Sequence, residues 1–186
     1  VVVAYPTLIS MRLGFALSAL GSSSSSTPFV TLARIRSTSI SLEIVNRRAT
    51  GRTVHFYVDP EREIDAGASE VHGMTWDDLR GKPRFRDIWP DFVDFAGGAE
   101  WIIHNAPFDV SFLDAELALA GLPPCSAHCG KVIDTLFIAR EAFPGKRNSL
   151  DALCERFGID NAHRSLHGAL LDAELLAEVY LAMTRG

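Results

Sequence analysis

Trp101-Ile102-Ile103-His104-Asn105-Ala106-Pro107-Phe108-Asp109 decides the fold. Three apolar residues in a row, without polar alternation, describe a short strand covered on both faces. The next four residues lead into a helix that turns Phe112, Leu113 and Leu117 inward and stops at Gly121 and Pro123-Pro124. Asp109 falls in the first turn of that helix, just past the carboxyl end of the strand. Ligand sites of open α/β sheets collect at that place, although the helix dipole alone also favours an aspartate there. Asn105 stands where a helix cap is expected.

The same alternation continues on either side. Lys131-Val132-Ile133-Asp134 reads as another strand, followed by a helix through Ala142. Pro144 to Asn148 is a turn, and Asn148 or Ser149 caps a helix carrying Leu150, Leu153 and Phe157 that Gly158 ends. Upstream, Ile40, Leu42 and Ile44 alternate with polar residues, as do Val54, Phe56 and Val58. They predict a β-hairpin with Ala49-Thr50-Gly51-Arg52 between its strands and Asp59-Pro60 at its end. Glu61 to Gly73 reads as loop and Thr75 to Leu79 as a short helix. Ile88, Phe92 and Phe95 form a helical stripe ending at Gly97-Gly98, with Pro90 expected near the first turn. Strands alternating with helices give an α/β layered domain, and the hairpin makes its sheet mixed.

Near the C-terminus, Arg164-Ser165-Leu166-His167-Gly168-Ala169-Leu170-Leu171-Asp172-Ala173-Glu174 sets a histidine five residues before an aspartate. Leu171, Leu175, Val179 and Met183 recur every four residues, one buried face of a helix. A carboxylate fixed on such a helix suits a hard metal ion. His167 is expected in a looser segment before it, kept flexible by Gly168 and able to reach a metal-bound water. An ordinary helix start with a solvated aspartate has the same appearance.

The chain's 186 residues suffice for one domain with a real core, and its formal net charge of −5 excludes the broad basic surface of a tight, sequence-indifferent nucleic-acid binder. A nuclease that grips one chain end is not excluded. The 3 cysteines, an odd number, point to a reducing, cytoplasmic setting, and no run is long enough to span a membrane. Composition changes near residue 42: all 23 acidic residues lie from Glu43 onward, and Ser22 to Ser26 are a serine run. Residues 1–41 are therefore set apart as an atypical segment from the domain of residues 42–186. Met11 to Leu20 has a faint signal-peptide look, but its apolar core is short. The early segment is expected to be an extension or one edge of the sheet. Cys125-Ser126-Ala127-His128-Cys129 reads as a loop with two reduced thiols, since no second ligand pair follows at zinc-finger spacing. Lys146, Arg147 and Arg164 are candidate phosphate contacts around the histidine motif.

From about Leu42 to Gly186 the chain resembles the DnaQ-like 3′→5′ exonucleases, the epsilon proofreading subunit of bacterial DNA polymerase III. The resemblance is carried by Glu43-Ile44-Val45-Asn46-Arg47-Arg48, Val71-His72-Gly73-Met74-Thr75, His104 to Asp109, and a nearly continuous segment from Phe143 to Thr184. It implies an RNase H-like mixed α/β sheet flanked by helices and removal of mononucleotides from DNA 3′ ends with two divalent metals, Mg²⁺ or Mn²⁺. By position, Asp109 and Asp172 match metal-binding aspartates, and His167 matches the general base. His72 matches a contact to the terminal nucleotide, and Asn105 and Phe108 match positions beside the cleft, where Asp172 also lies. Asp109 and Asp172 are expected to converge at one edge of the sheet, with His167 close by. The implied partners are a single-stranded DNA 3′ end and the polymerase's catalytic subunit. The family tail that binds that subunit lies beyond Gly186.

One departure bears on activity. The family opens with a strand ending in Asp-x-Glu-Thr-Thr-Gly, whose two acids hold the metals. Counting back from Asn46, that strand should end near residues 18 to 24, where this chain has Ser18-Ala19-Leu20-Gly21 and serines. The reading is that roughly the first 40 residues are not the family's segment, through a frameshift or a wrong start. Phe29 to Ile35 and Arg12 to Leu17 are the stretches able to stand in for the missing strand. Two alternatives accompany the proofreading assignment: an RNA-trimming exonuclease of the same superfamily, and a catalytically dead scaffold that has lost its metal site.

Overall fold

The computed structural model describes residues 29–33, 38–61, 75–161 and 164–185, with side chains from Glu43 onward and, in the last helix, from Leu171. Its strands are β1 (Phe29–Ala33), β2 (Thr38–Val45), β3 (Arg48–Tyr57), β4 (Glu100–Ile103) and β5 (Lys131–Asp134). Its helices are α1 (Trp76–Leu79), α2 (Phe85–Ala96), α3 (Ala106–Leu119), α4 (Thr135–Ala142), α5 (Leu150–Phe157) and α6 (Arg164–Met183). The sheet runs β3-β2-β1-β4-β5. β1 pairs antiparallel with β2 and parallel with β4, and β4 pairs parallel with β5. A mixed sheet flanked by helices is the expected class.

β4 explains the layering. Trp101, Ile102 and Ile103 are all buried. Trp101 and Ile103 pack with Phe85, Ile88, Phe92, Leu113 and Leu117 of α2 and α3. Ile102 faces the other way, with Ile44, Leu153, Ala173, Leu176 and Val179. The continuous apolar run thus divides between two cores, α2 and α3 over one face and α4, α5 and α6 over the other. Each fully buried side chain of this size contributes about 1.5–3 kcal/mol.

Four expectations change. The N-terminal segment supplies neither a loose extension nor a sheet edge in β1: Phe29–Ala33 is the central strand, the stand-in the sequence offered. The compositional break at residue 42 falls inside β2. Residues 1–28, including the stretch counted for the missing motif, lie outside the described residues.

The hairpin turn is not Ala49-Thr50-Gly51-Arg52. The chain reverses at Asn46 and Arg47, both with positive φ (52° and 60°), a two-residue turn whose twist matches that of the flanking strands. The glycine-bearing stretch forms a bulge instead. Register jumps from Leu42↔Thr53 to Ile44↔Ala49, with Gly51 at φ 79°. Glu43 holds the bulge, accepting from Thr50 Oγ1 at 2.9 Å and Arg52 at 2.7 Å.

Pro90 sits inside α2 rather than in its first turn. It and Arg86, the residue whose carbonyl loses a donor, are both exposed, so water can substitute for the missing bond. Finally, α6 is helical from Arg164, so the backbone of His167 and Gly168 belongs to the helix and not to a looser segment. The expected stripe holds: Leu175 and Val179 are buried, with Leu171 and Met183 packed against them.

The C-terminus of α6 has no basic residue in its own last turn. Arg47 from the hairpin turn supplies one, donating to the Leu181 carbonyl at 2.8 Å and Thr184 Oγ1 at 3.2 Å. Arg47→Ala is expected to lower unfolding free energy by about 1 kcal/mol, modest because the contact is exposed. A urea titration showing an unchanged midpoint would remove this tie from the account.

Candidate functional site

β1, β4 and β5 run parallel, so their carboxyl ends share one edge of the sheet. There the chain leaves β4 for α3 and β5 for α4. Asp109 is the fourth residue of α3 and is buried. Pro107 lies in the first turn, where its missing N–H costs nothing. Phe108 is half-buried, edge-on to Phe112 with ring centroids 4.8 Å apart.

Asn105 occupies the cap position but does not cap in the expected way. Its side chain makes no cap hydrogen bond, and its backbone is left-handed at φ 69°, ψ 51°. An L-residue there costs roughly 1–2 kcal/mol relative to the right-handed helix region. The conformation is held from β5. Asp134 Oδ1 accepts from the Asn105 N–H at 3.0 Å and from the Leu136 N–H at 2.9 Å, capping α4 with the same oxygen. Beside it, Thr135 Oγ1 lies 2.9 Å from His104 Nδ1 and 3.3 Å from the Ile103 carbonyl. Thr135 has one proton; given to Ile103, it requires the proton of His104 to sit on Nδ1. Asp134 and Thr135 thus tie the two strand-to-helix junctions together. Sequence reasoning took Asp134 only as the end of a strand. The available signal was an aspartate immediately before a helix, a cap pattern.

Asp172 is half-buried on α6, in the layer opposite Asp109. Asp109, Asn105 and Phe108 share the β4–α3 junction. α6, which carries Asp172, packs its apolar residues on the other face of the sheet. His167 is the fourth residue of α6, but its side chain is outside the described set, as is the whole of His72. Among the described residues, no group of three or more His, Cys, Asp or Glu is disposed to hold a metal ion.

Two further stretches singled out by sequence are placed. Cys125–Ala127 is a 3₁₀ turn, with the Cys125 N–H bonded to Asp114 Oδ1 at 2.7 Å. Both Cys125 and Cys129 are free thiols whose pKa values are pushed up, first by burial and also by the carboxylate of Asp114. The loop before α5 is braced by Arg156, which donates to Asn148 Oδ1 at 3.1 Å and the Arg147 carbonyl at 2.8 Å and stacks on Phe143. Ser149, not Asn148, caps α5. Lys146 and Arg147 are left at the surface.

A model of the Exonuclease (RNase_T) family matches residues 40–180. The chain is 53% identical over 145 residues to a DNA polymerase III subunit epsilon of Haemophilus influenzae, covering 78% of this chain and 57% of that protein. To the subunit epsilon of Escherichia coli K12 it is 53% identical over 147 residues, covering 78% and 60%. The chain therefore spans less than two thirds of the length of these curated relatives. Among solved structures, exonuclease X in complex with 5′ overhanging duplex DNA superposes with a TM-score of 0.64 at 21% identity, over 83% of this chain and 90% of that one. A full-length 3′-exonuclease superposes with a TM-score of 0.70 at 16% identity, over 86% and 82%. At such identities these structures speak to fold alone, and the fold is RNase H-like.

Proposed function

Since this chain belongs to the Exonuclease (RNase_T) family, we propose that it derives from a 3′→5′ exonuclease that proofreads DNA for a replicative polymerase and works in the cytoplasm. The 53% identity to subunit epsilon carries this reading. In it, Asp109 and Asp172 approach each other around the carboxyl edge and supply carboxylates to divalent metal, while His72, Asn105, Phe108 and Asp172 meet the terminal nucleotide. His167 takes the proton of the attacking water, a task to which the imidazole group is suited at neutral pH. The partners are a DNA 3′ end and the polymerase's catalytic subunit.

Divalent-metal chemistry is general for the family. Among the described residues, the donors do not fit a pair of such ions. Asp109 and Asp172 are two carboxylates, and among the described residues no group of three or more His, Cys, Asp or Glu that could hold a metal ion forms. The central strand cannot supply one, because Phe-Val-Thr-Leu-Ala contains no acid. That observation favours a second reading, in which this chain binds a strand end but cleaves it slowly or not at all.

The test is a 3′-labelled single strand, as DNA and as RNA, incubated with Mg²⁺ or Mn²⁺ and with chelator. Binding of DNA with slow, chelator-sensitive loss of 3′ nucleotides is expected. Internal cleavage, preference for RNA, or no binding of either strand would overturn the proofreading assignment. Binding with no cleavage at all would establish the scaffold reading.

A further inference from the structure

We propose that Asp134 is a positioning residue: its carboxylate fixes the β4–α3 junction in the form that presents Asn105, Phe108 and Asp109 to a nucleic-acid strand. The inference rests on the nuclease reading above.

Three observations carry it. Asn105 is held in a left-handed conformation that is uncommon outside glycine though most accessible to asparagine, and its own side chain makes no cap bond to hold it. The one hydrogen bond seen at its N–H comes from Asp134, 29 residues away on the neighbouring parallel strand. The same oxygen also caps α4 through Leu136. Asp134 stands directly across from Ile103, the last residue of β4. A side chain at that register position reaches the next turn of chain beyond its partner strand, which is the turn into α3. With Oδ1 taking both N–H bonds, the carboxylate is committed to backbone at the point where Asp109's helix begins. Asn105 and Phe108 are the residues flanking that start, so a swing at position 105 displaces all three proposed contacts together.

Without the tether, the left-handed form loses its advantage and the binding-competent junction becomes a minority state. The apparent affinity of a ligand that needs it falls in proportion to that fraction. About a tenfold loss is expected for a single-stranded oligothymidylate, read by fluorescence anisotropy without metal.

The variants separate positioning from folding. Asp134→Ser keeps an oxygen that can cap α4 but is too short to reach Asn105. Asp134→Asn keeps an acceptor at the same reach. The expected result is weaker oligonucleotide binding by about tenfold in Asp134→Ser, with faster amide exchange at Asn105 and an unchanged circular-dichroism melt, and near-original affinity in Asp134→Asn. Undiminished binding by Asp134→Ser would overturn the inference while leaving the nuclease reading intact. So would an equal loss in Asp134→Asn, because the negative charge rather than the tether would then matter. If Asp134→Ser fails to fold, Asp134→Asn decides: retained affinity supports the tether and lost affinity sinks it. Failure of the unaltered chain to bind the oligonucleotide would overturn the nuclease reading and this inference together.

Discussion

Ala33→Asp combined with Ile35→Glu is expected to raise metal-dependent release of 3′ nucleotides by on the order of a thousandfold, about 4 kcal/mol of transition-state stabilisation. Position 33 ends β1, whose preceding residue Leu32 pairs with Ile103 at the end of β4. The edge of the central strand therefore lies beside the junction that carries Asp109. Two acids spaced one residue apart would restore the spacing of the family's opening motif; Ala33 is the last residue of β1, and Ile35 lies outside the described residues. The physical case is charge. Two divalent ions bring four positive charges, and two carboxylates neither neutralise them nor fix their geometry. The measurement is initial rate on a 3′-labelled oligonucleotide against Mg²⁺ concentration, original chain beside double variant. Equal, robust rates in both would show that the opening acids are dispensable here.

His167→Ala, made in that double variant, is expected to lower turnover by roughly 100- to 10,000-fold while leaving the metal concentration for half-maximal rate nearly unchanged. A base contributes to the rate of proton transfer without contributing a ligand bond. Its own signature is a rate that rises with pH as the imidazole gives up its proton, a limb that should vanish in the alanine variant. Unchanged turnover would remove His167 from the role, and a large shift in metal requirement would make it a ligand instead. The backbone at 167 is helical from Arg164 onward, so His167 belongs to α6 rather than to the swinging segment that Gly168 suggested.

How much of this was legible differs from element to element. Trp101-Ile102-Ile103 announced a strand buried on both faces because the signal is local: three apolar residues with no polar face. The α6 stripe was legible for the same reason. The hairpin turn was not. Ala49-Thr50-Gly51-Arg52 carries the glycine that a turn would use, yet a bulge uses it equally well, and the residues that do reverse the chain, Asn46 and Arg47, sit inside what looked like a motif. The centrality of Phe29–Ala33 could not be read from its own composition, since its place is decided by pairing with a strand some 70 residues on. The candidate site follows the same rule. Asp109 showed itself through its place after a strand, whereas the tether from Asp134 appears only once β4 and β5 are known to be neighbours.

The position of α6 has a consequence for synthesis. The helix lies across β1, β2 and β4 and supplies Ala173, Leu175, Leu176, Ala177 and Val179 to one of the two cores. It is also the last secondary structure described in the chain. A ribosome delivering this chain in order would present the described strands with Ile44 and Ile102 on a face that, among the described helices, α4 and α5 partly cover until α6 emerges. Exposed apolar strand surface of that kind is what drives off-pathway association. The nascent chain is thus most vulnerable in the short interval before Arg47 can meet Leu181, and a stop upstream of residue 164 would make that interval permanent.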